Sequence, residues 1–417
     1  MVERVPPADL DPSRMKPKIK VLLAVPELQD LGVQHDVRCL MRHWDRERFE
    51  PIMLLHRRSG AFADQFPPEL ASVQVDERIP DIRGARVVLR LLGYARVFRE
   101  LRPDAVISFV PYTNLACAWA RPLSGWDFGL AVSEHAHVTA SMRDPEAFNG
   151  AFLWLYRRVF PQVYNQRADL VKCIAEESRQ DLIQNFGIRP DRTRLIYNPV
   201  DFDEVRQLGR AGAEHPWFED DERAKIPVII NVGRLCGQKR QDLLLRAFAI
   251  VRKSLPARLA LIGRGAHQAR LEVLADTLGI REDVVFLGFQ RNPWRFIARS
   301  ALLALASDWE GLPCVITEAM ALSIPVVSTR CPSGPAEMLL EGAAGVLSRV
   351  GDADDLARAI LETLADPVVT RRRTATATEH LRRFDPGTVT RSYEALAEEL
   401  AAIGRERRDA RLGAAVS

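Results

Sequence analysis

Short runs of β-branched and aliphatic residues alternate with longer helix-patterned stretches along this chain, and the alternation occurs twice, on either side of a polar break. Residues 19–25 (IKVLLAV), 105–109 (AVISF), 130–133 (LAVS) and 195–197 (LIY) make up the first set. Residues 228–232, 259–262, 284–287, 302–305 and 325–328 make up the second. Such runs, each followed by a helix pattern, are the mark of βαβ units and parallel sheets. Between the sets, residues 205–226 turn polar, with Gly209, Gly212, Pro216 and a Glu-Asp-Asp-Glu cluster, and read as a linker. The expectation is an α/β protein of two doubly wound halves. In such sheets ligands lie at the carboxyl ends of the strands, where the strand order reverses. Two facing halves would therefore enclose a cleft. The Arg-rich residues 405–411 read as a disordered tail.

Composition narrows the function classes. A length of 417 residues suits two or three domains. The 58 Lys and Arg nearly cancel 55 Asp and Glu, leaving a net charge of +3, which argues against a dedicated nucleic-acid binder. A spanning helix needs about 20 consecutive apolar residues. The longest candidate, residues 105–120, is interrupted by Ser108, Pro111, Thr113 and Asn114. The first residues carry acids and prolines (Glu3, Pro6, Pro7, Asp9, Asp11), unlike a secretory signal. Six scattered cysteines with no C-x-x-C pair read as reduced thiols, neither a disulfide framework nor a zinc site. These features describe a soluble cytosolic protein.

Four stretches carry chemistry. Residues 308–318 (DWEGLPCVITE) follow a buried strand and open a helix, with Pro313 suited to its first turn. Glu318 is the only charge between Gly311 and Val327. A buried carboxylate needs partners, and the two hydroxyls of a ribose are suitable ones; a place on an exposed stripe is the alternative. Residues 231–240 (NVGRLCGQKR) put glycines and cations between a strand and the next helix, where a phosphate meets free N–H groups. Arg234 can bind a phosphate bidentately and Lys239 adds a point charge, although solvated cations at a helix start would look the same. The spacing is not that of a Walker A loop. Residues 261–265 (LIGRG) lack the third glycine of the dinucleotide fingerprint, which discounts a nicotinamide-dependent dehydrogenase. Residues 132–137 (VSEHAH) place an acid and two imidazoles at a strand end, fit for sugar hydroxyls or for proton transfer, or for a purely structural role.

Taken in order, these motifs resemble the family 4 retaining glycosyltransferases of the GT-B fold, over roughly residues 18–400. Glu310 and Glu318 match the E-x7-E pair, Gly233, Arg234, Leu235 and Lys239 the G-R-L…K segment, and residues 261–265 the strand-G-x-G. Residues 331–337 (CPSGPAE) resemble a segment common in polysaccharide- and glycolipid-building members, and Ala168-Asp169 and residues 197–201 (YNPVD) resemble landmarks at the end of the first domain. The resemblance implies two Rossmann-like domains, residues 1–204 for the acceptor and 226–384 for the nucleotide sugar, with residues 205–225 as linker. It also implies that residues 385–417 hold a C-terminal helix returning to the first domain, followed by the basic tail.

The resemblance further implies transfer of a sugar from a nucleotide-diphosphate donor, UDP-linked by expectation, to a glycan or lipid-linked acceptor. Arg234 and Lys239 would neutralise the diphosphate, with no metal or other cofactor required. Glu318 would hold the ribose, while Glu310, Gly311, Leu312 and Pro313 would line the donor sugar. His135 would contact the reacting region from the other domain, and Gly263 and Gly32 would shape the donor pocket. Attack from the face that the leaving group departs would need no covalent carboxylate intermediate. Where the family often has two adjacent glycines after the first strand, this chain reads Leu31-Gly32-Val33, which narrows that loop.

Residues 83–102 hold six arginines and one glutamate around Val87, Val88, Leu91, Leu92, Val97 and Phe98, and residues 152–158 (FLWLYRR) mix aromatics with cations. A basic amphipathic helix can lie in an anionic membrane interface, or simply pack on a sheet with its arginines in water. A peripheral place at the inner face of the membrane is expected on the first reading. Rival functions are an epimerase or phosphorylase on the same fold, or a catalytically silent scaffold.

Overall fold

The structure is a computed structural model that describes residues 17–26, 32–56, 71–78, 86–144, 146, 150–219 and 226–416. Its first sheet contains β1 (Ile19–Ala24), β2 (Phe49–Leu55), β3 (Ser72–Gln74), β4 (Ala105–Phe109), β5 (Gly129–Glu134), β6 (Leu170–Cys173) and β7 (Thr193–Leu195). The second contains β8 (Val228–Val232), β9 (Arg258–Ile262), β10 (Val284–Gly288), β11 (Leu302–Leu305), β12 (Val326–Thr329) and β13 (Val346–Ser348). Every pairing in both sheets is parallel. The orders are β3-β2-β1-β4-β5-β6-β7 and β10-β9-β8-β11-β12-β13. Both are doubly wound, with the reversal between β1 and β4 in one sheet and between β8 and β11 in the other. The GT-B architecture expected from the sequence is therefore present, and each switch point opens toward the cleft.

Helices cover both faces of each sheet, so central strands such as β4 and β11 are buried along their whole length. Strands β2, β3, β6 and β13 are not among the runs read from the sequence, each for a local reason. Glu50 and Pro51 interrupt β2, β3 and β13 have only three residues each, and β6 carries a lysine that the fold buries.

Two expectations are corrected. The segment read as a linker begins as a helix, Phe202–Gly209, whose Asp201 carboxylate accepts from the Glu204 N–H at 3.0 Å. Val205, Ala213 and Phe218 are buried in the second domain's core, with Phe218 edge-on to Phe296 at 5.1 Å. The segment thus joins the second core before its first strand, because its few apolar residues find partners there; residues 220–225 lie outside the described residues. The Arg-rich tail is also ordered. Residues 405–411 continue the helix Pro386–Val416, because their charges meet acids of the first domain. Arg407 pairs with buried Asp169, Arg408 donates to the Asp127 carbonyl at 2.6 Å and to Asp104 at 3.2 Å, and Arg411 reaches Asp127 at 3.3 Å. Upstream on the same helix, Val389, Tyr393, Leu396, Ala397 and Leu400 enter the core beside β1 and β4.

Candidate active site

The site lies where the loops after β8, β9 and β11 meet the end of β5. Glu310, 4% exposed, is the centre of the charge arrangement. Its Oε1 accepts from Lys239 Nζ at 2.6 Å and from Ser307 Oγ at 2.6 Å. Lys239 comes from the turn after β8 and Glu310 from the loop after β11, so the ion pair spans the switch point of the second sheet. A desolvated pair of this kind is costly to break one partner at a time. Arg234 stands at the rim, exposed, with Nη2 3.0 Å from Gln238 Oε1. Arg240 is committed elsewhere: it is bound to Asp308 at 2.9 Å and to Asp242 at 3.0 Å.

Backbone packing explains the glycines. Gly233 N–H donates to the Ile262 carbonyl at 2.9 Å, and Leu235 N–H to the Arg264 carbonyl at 3.1 Å, so the loops after β8 and β9 run side by side. Gly263 has φ +139, and a Cβ there would overlap the Gly233 carbonyl oxygen. A Cβ at Gly265 would overlap the Leu235 carbonyl oxygen. The G-x-G therefore supports the cation-bearing loop from behind. At Gly32, by contrast, a Cβ would make only an ordinary 3.7 Å contact with Cys314 Sγ. Gly32 opens the helix Gly32–His43, and its neighbour Leu31 lies outside the described residues.

Gly311 carries the contact between domains. A Cβ there would overlap the His135 carbonyl oxygen of the first domain. His137 N–H donates to the Glu310 carbonyl at 3.2 Å. Leu312 and Pro313 are buried next to it. Pro313 occupies the N-cap of the helix Cys314–Ala321 and not its first turn. At the outer edge Glu146 Oε2 accepts from the Gly237 N–H at 2.9 Å, and Asp144 accepts from the Trp309 indole at 3.2 Å.

His135 is brought to this junction. Its Nε2 lies 2.8 Å from Ser133 Oγ, and its ring is tilted on Phe109 at 5.6 Å. Desolvation, reinforced by the charge of Lys172, holds its pKa well below the usual 6.5. The ring is neutral near pH 7 and suited to hydrogen bonding, not to supplying positive charge.

Glu318 is set apart from the Glu310 group. It is half-buried and lines a small pocket at the domain junction with His35, Asp36, Arg38, Trp294 and Cys314. The same pocket contains a feature the sequence reading missed. Asp36 has no exposure, and neither carboxylate oxygen has a hydrogen-bond partner. Burial raises its pKa against the opposing charge of Lys172, and burial lowers that of Lys172 against Asp36. Lys172 itself is fully buried on β6, 3.4 Å from Asn198 Oδ1 and 5.2 Å from the Tyr393 ring. A lone Asp in a helix and a lone Lys in a strand carry no local signal of this electrostatic coupling.

The basic stretch of the first domain forms the helix Arg86–Leu101, residues 83–85 lying outside the described residues. Val97 and Phe98 are in the core, Leu91 is half-buried, and Val88 and Leu92 are exposed. Several arginines have structural partners: Arg90 grips Asp76 at 2.8 and 2.7 Å, and Arg99 donates to the carbonyls of Leu123 and Ser124 at 3.0 Å. Trp154 is 67% exposed beside exposed Arg157 and Arg158.

Comparison with known proteins places the chain in a family. The family described as Glycosyl transferases group 1 matches residues 217–381, and Glycosyltransferase Family 4 matches residues 31–204. An uncharacterized glycosyltransferase of Methanocaldococcus jannaschii is 28% identical over 263 residues, 61% of this chain and 62% of that protein. The N-acetylgalactosamine-N,N'-diacetylbacillosaminyl-diphospho-undecaprenol 4-alpha-N-acetylgalactosaminyltransferase of Campylobacter jejuni is 27% identical over 312 residues, 75% of this chain and 81% of that one. Among solved structures, Anabaena HepE in complex with UDP and glucose superposes with a TM-score of 0.74 at 22% identity, covering 92% of this chain and all of that one.

A neutral His135 has a measurable consequence. Its depressed pKa means that its contribution to stability is present above about pH 6.5 and is lost as pH falls below that unfolded-state value. Histidine-selective NMR should show a His135 ring that does not titrate between pH 6.5 and 8. A midpoint at or above 6.5 would contradict the desolvated environment.

Proposed function

The chain belongs to the family 4, group 1 glycosyltransferases, and on that premise we propose that it is a retaining enzyme transferring a sugar from a UDP-sugar to a lipid-linked or glycan acceptor. The observation that carries this reading is the Glu310–Lys239 pair at the second switch point, with Arg234 at its rim. A diphosphate entering between Arg234 and Lys239 meets a bidentate donor and a point charge in a partly desolvated place. Lys239 must then divide its charge between Glu310 and the phosphate, which leaves the Glu310 carboxylate ready to accept from donor-sugar hydroxyls. Gly311, Leu312 and Pro313 supply a wall that the acceptor domain presses against the sugar. A ribose diol directed along the helix Cys314–Ala321 reaches Glu318 and the pocket it lines.

The acceptor hydroxyl then attacks the anomeric carbon as that carbon's bond to the terminal phosphate oxygen breaks. Attack from the departing face lets the acceptor proton leave with that same phosphate oxygen. Neutral His135 positions a sugar hydroxyl. The role of the cations is electrostatic: they hold the charge that develops on the leaving diphosphate. The UDP in the Anabaena complex supports the choice of base, and the diphospho-undecaprenol in the Campylobacter relative's name supports a lipid-linked acceptor.

A lipid-linked acceptor favours a peripheral contact with an anionic membrane. No helix among the described residues is long and apolar enough to cross one. The exposed Val88, Leu92 and Trp154, with cations nearby, offer apolar anchors and charge on the first domain. Flotation with liposomes should recover more protein on anionic than on neutral vesicles, and Trp154→Ala should reduce that recovery; equal recovery on both would contradict the contact.

The donor assignment is tested by thermal shift across UDP-, GDP- and ADP-sugars, followed by nucleotide release. UDP-sugars should raise the melting temperature. Arg234→Ala and Glu318→Ala should each cut donor-dependent UDP release by about 100-fold or more, the scale of losing one charge-stabilising group. Unchanged turnover in both variants would overturn the site.

A further inference from the structure

The CPSGPAE segment, residues 331–337, has a feature that the donor site does not use. The helix Glu176–Phe186 of the first domain begins after Ala175, which has no side chain to cap it. Its first N–H, that of Glu176, is instead accepted by Glu337 Oε2 of the second domain at 2.8 Å. Glu337 Oε1 also accepts from the Tyr197 hydroxyl at 2.5 Å. The exchange runs the other way as well: Glu177, on that same helix, accepts the Ser333 N–H of the second domain at 2.6 Å. Each domain thus caps a backbone N–H of the other with a carboxylate, and separating the domains would uncap both.

The receiving turn is strained in a way that places it. Ser333 and Gly334 are both left-handed, with φ 68 and 89. A Cβ at Gly334 would overlap the Gly311 carbonyl oxygen, so the turn lies directly on the donor-sugar loop. Fully buried Ser333 donates its hydroxyl to the Gly311 carbonyl at 3.1 Å and lies 2.6 Å from Ser178 Oγ of the first domain. Glu310 N–H donates to the Pro332 carbonyl at 3.0 Å. The backbone on either side of the Glu310–Gly311 bond is therefore tied to a segment that also bonds the acceptor domain through Ser333 and Glu337.

We propose that this exchanged pair of caps is the closure latch of the enzyme, with Glu337 and Ser333 as positioning residues that set the Glu310–Gly311 turn when the domains meet. The cationic groups proposed to bind the donor diphosphate, Arg234 and Lys239, lie wholly in the second domain and do not need the latch. Loss of the latch should therefore reduce turnover and leave donor binding intact. Closure of this kind is a hinge motion that assembles a site from two rigid parts.

The proposal rests on the glycosyltransferase reading, and the test separates the two. Glu337→Ala, Glu337→Gln and Glu177→Gln are compared with the wild type in UDP-sugar binding by calorimetry, in transfer kcat, and in the compaction of the free protein by small-angle scattering, since the caps are formed without a ligand. Glu337→Ala should lower kcat about tenfold, keep donor Kd within about twofold, and lose compaction as a larger radius of gyration. Glu337→Gln keeps an oxygen to accept the Glu176 N–H and should recover most of both; Glu177→Gln should behave likewise. Unchanged kcat and compaction in Glu337→Ala, or a parallel loss of donor affinity and kcat, would overturn the latch. Equal damage in the Ala and Gln variants would also overturn it. A wild type that binds no nucleotide sugar would instead overturn the functional reading, while the scattering of the free variants would still report on the latch.

Discussion

The backbone contact between Gly311 and His135 is the constraint on which the site depends. No side chain fits between these two segments, so the loop after β11 and the end of β5 meet main chain to main chain. From that contact follow the orientation of Glu310, whose carbonyl receives the His137 N–H, and the reach of its carboxylate to Lys239. Such close approach requires glycine, and it requires the two domains to be together. The groups proposed to hold the donor gather in one domain, and the loop beside them is held by the other.

Charge is arranged in two layers around this contact. At the surface of the cleft Arg234 is exposed and Lys239 is shared with Glu310, which leaves cationic character where an anionic leaving group would be. Below it, Asp36 on the first helix and Lys172 on β6 are both fully buried, and the charge of each opposes the effect of burial on the other. Burial opposes ionisation of both, and Lys172 adds to the desolvation that keeps His135 neutral. A net charge of +3 over the chain conceals this arrangement completely. The arginines of the C-terminal helix show the same point: they answer Asp169, Asp127 and Asp104 one by one, and so make an ordered helix of what composition suggests is a tail.

What was legible in the sequence was whatever is local. The central strands announce themselves as unbroken apolar runs, and the loops after β8 and β11 carry their glycines, cations and acids within a few residues of each strand end. The doubly wound order and the place of Glu310, Arg234 and Lys239 follow from that. Glu318 was legible as a lone charge on an apolar helix, but not its separate pocket. Interactions between distant parts of the chain left no local trace: Asp36 with Lys172, Glu337 with Glu176, Ser333 with Ser178. Edge strand β3 and the lysine-bearing β6 escaped for the same reason, since their burial is decided by neighbours and not by their own pattern.

The proposed function requires a nucleotide diphosphate to bind between Arg234 and Lys239, beside the loop that Gly311 holds against the first domain. A crystal structure with UDP tests it most directly. Both phosphates are expected within hydrogen-bond reach of the Arg234 guanidinium and the Lys239 ammonium, with the ribose toward Glu318 and the Lys239–Glu310 distance longer than 2.6 Å. UDP bound elsewhere, with the Lys239–Glu310 pair unchanged, would contradict it.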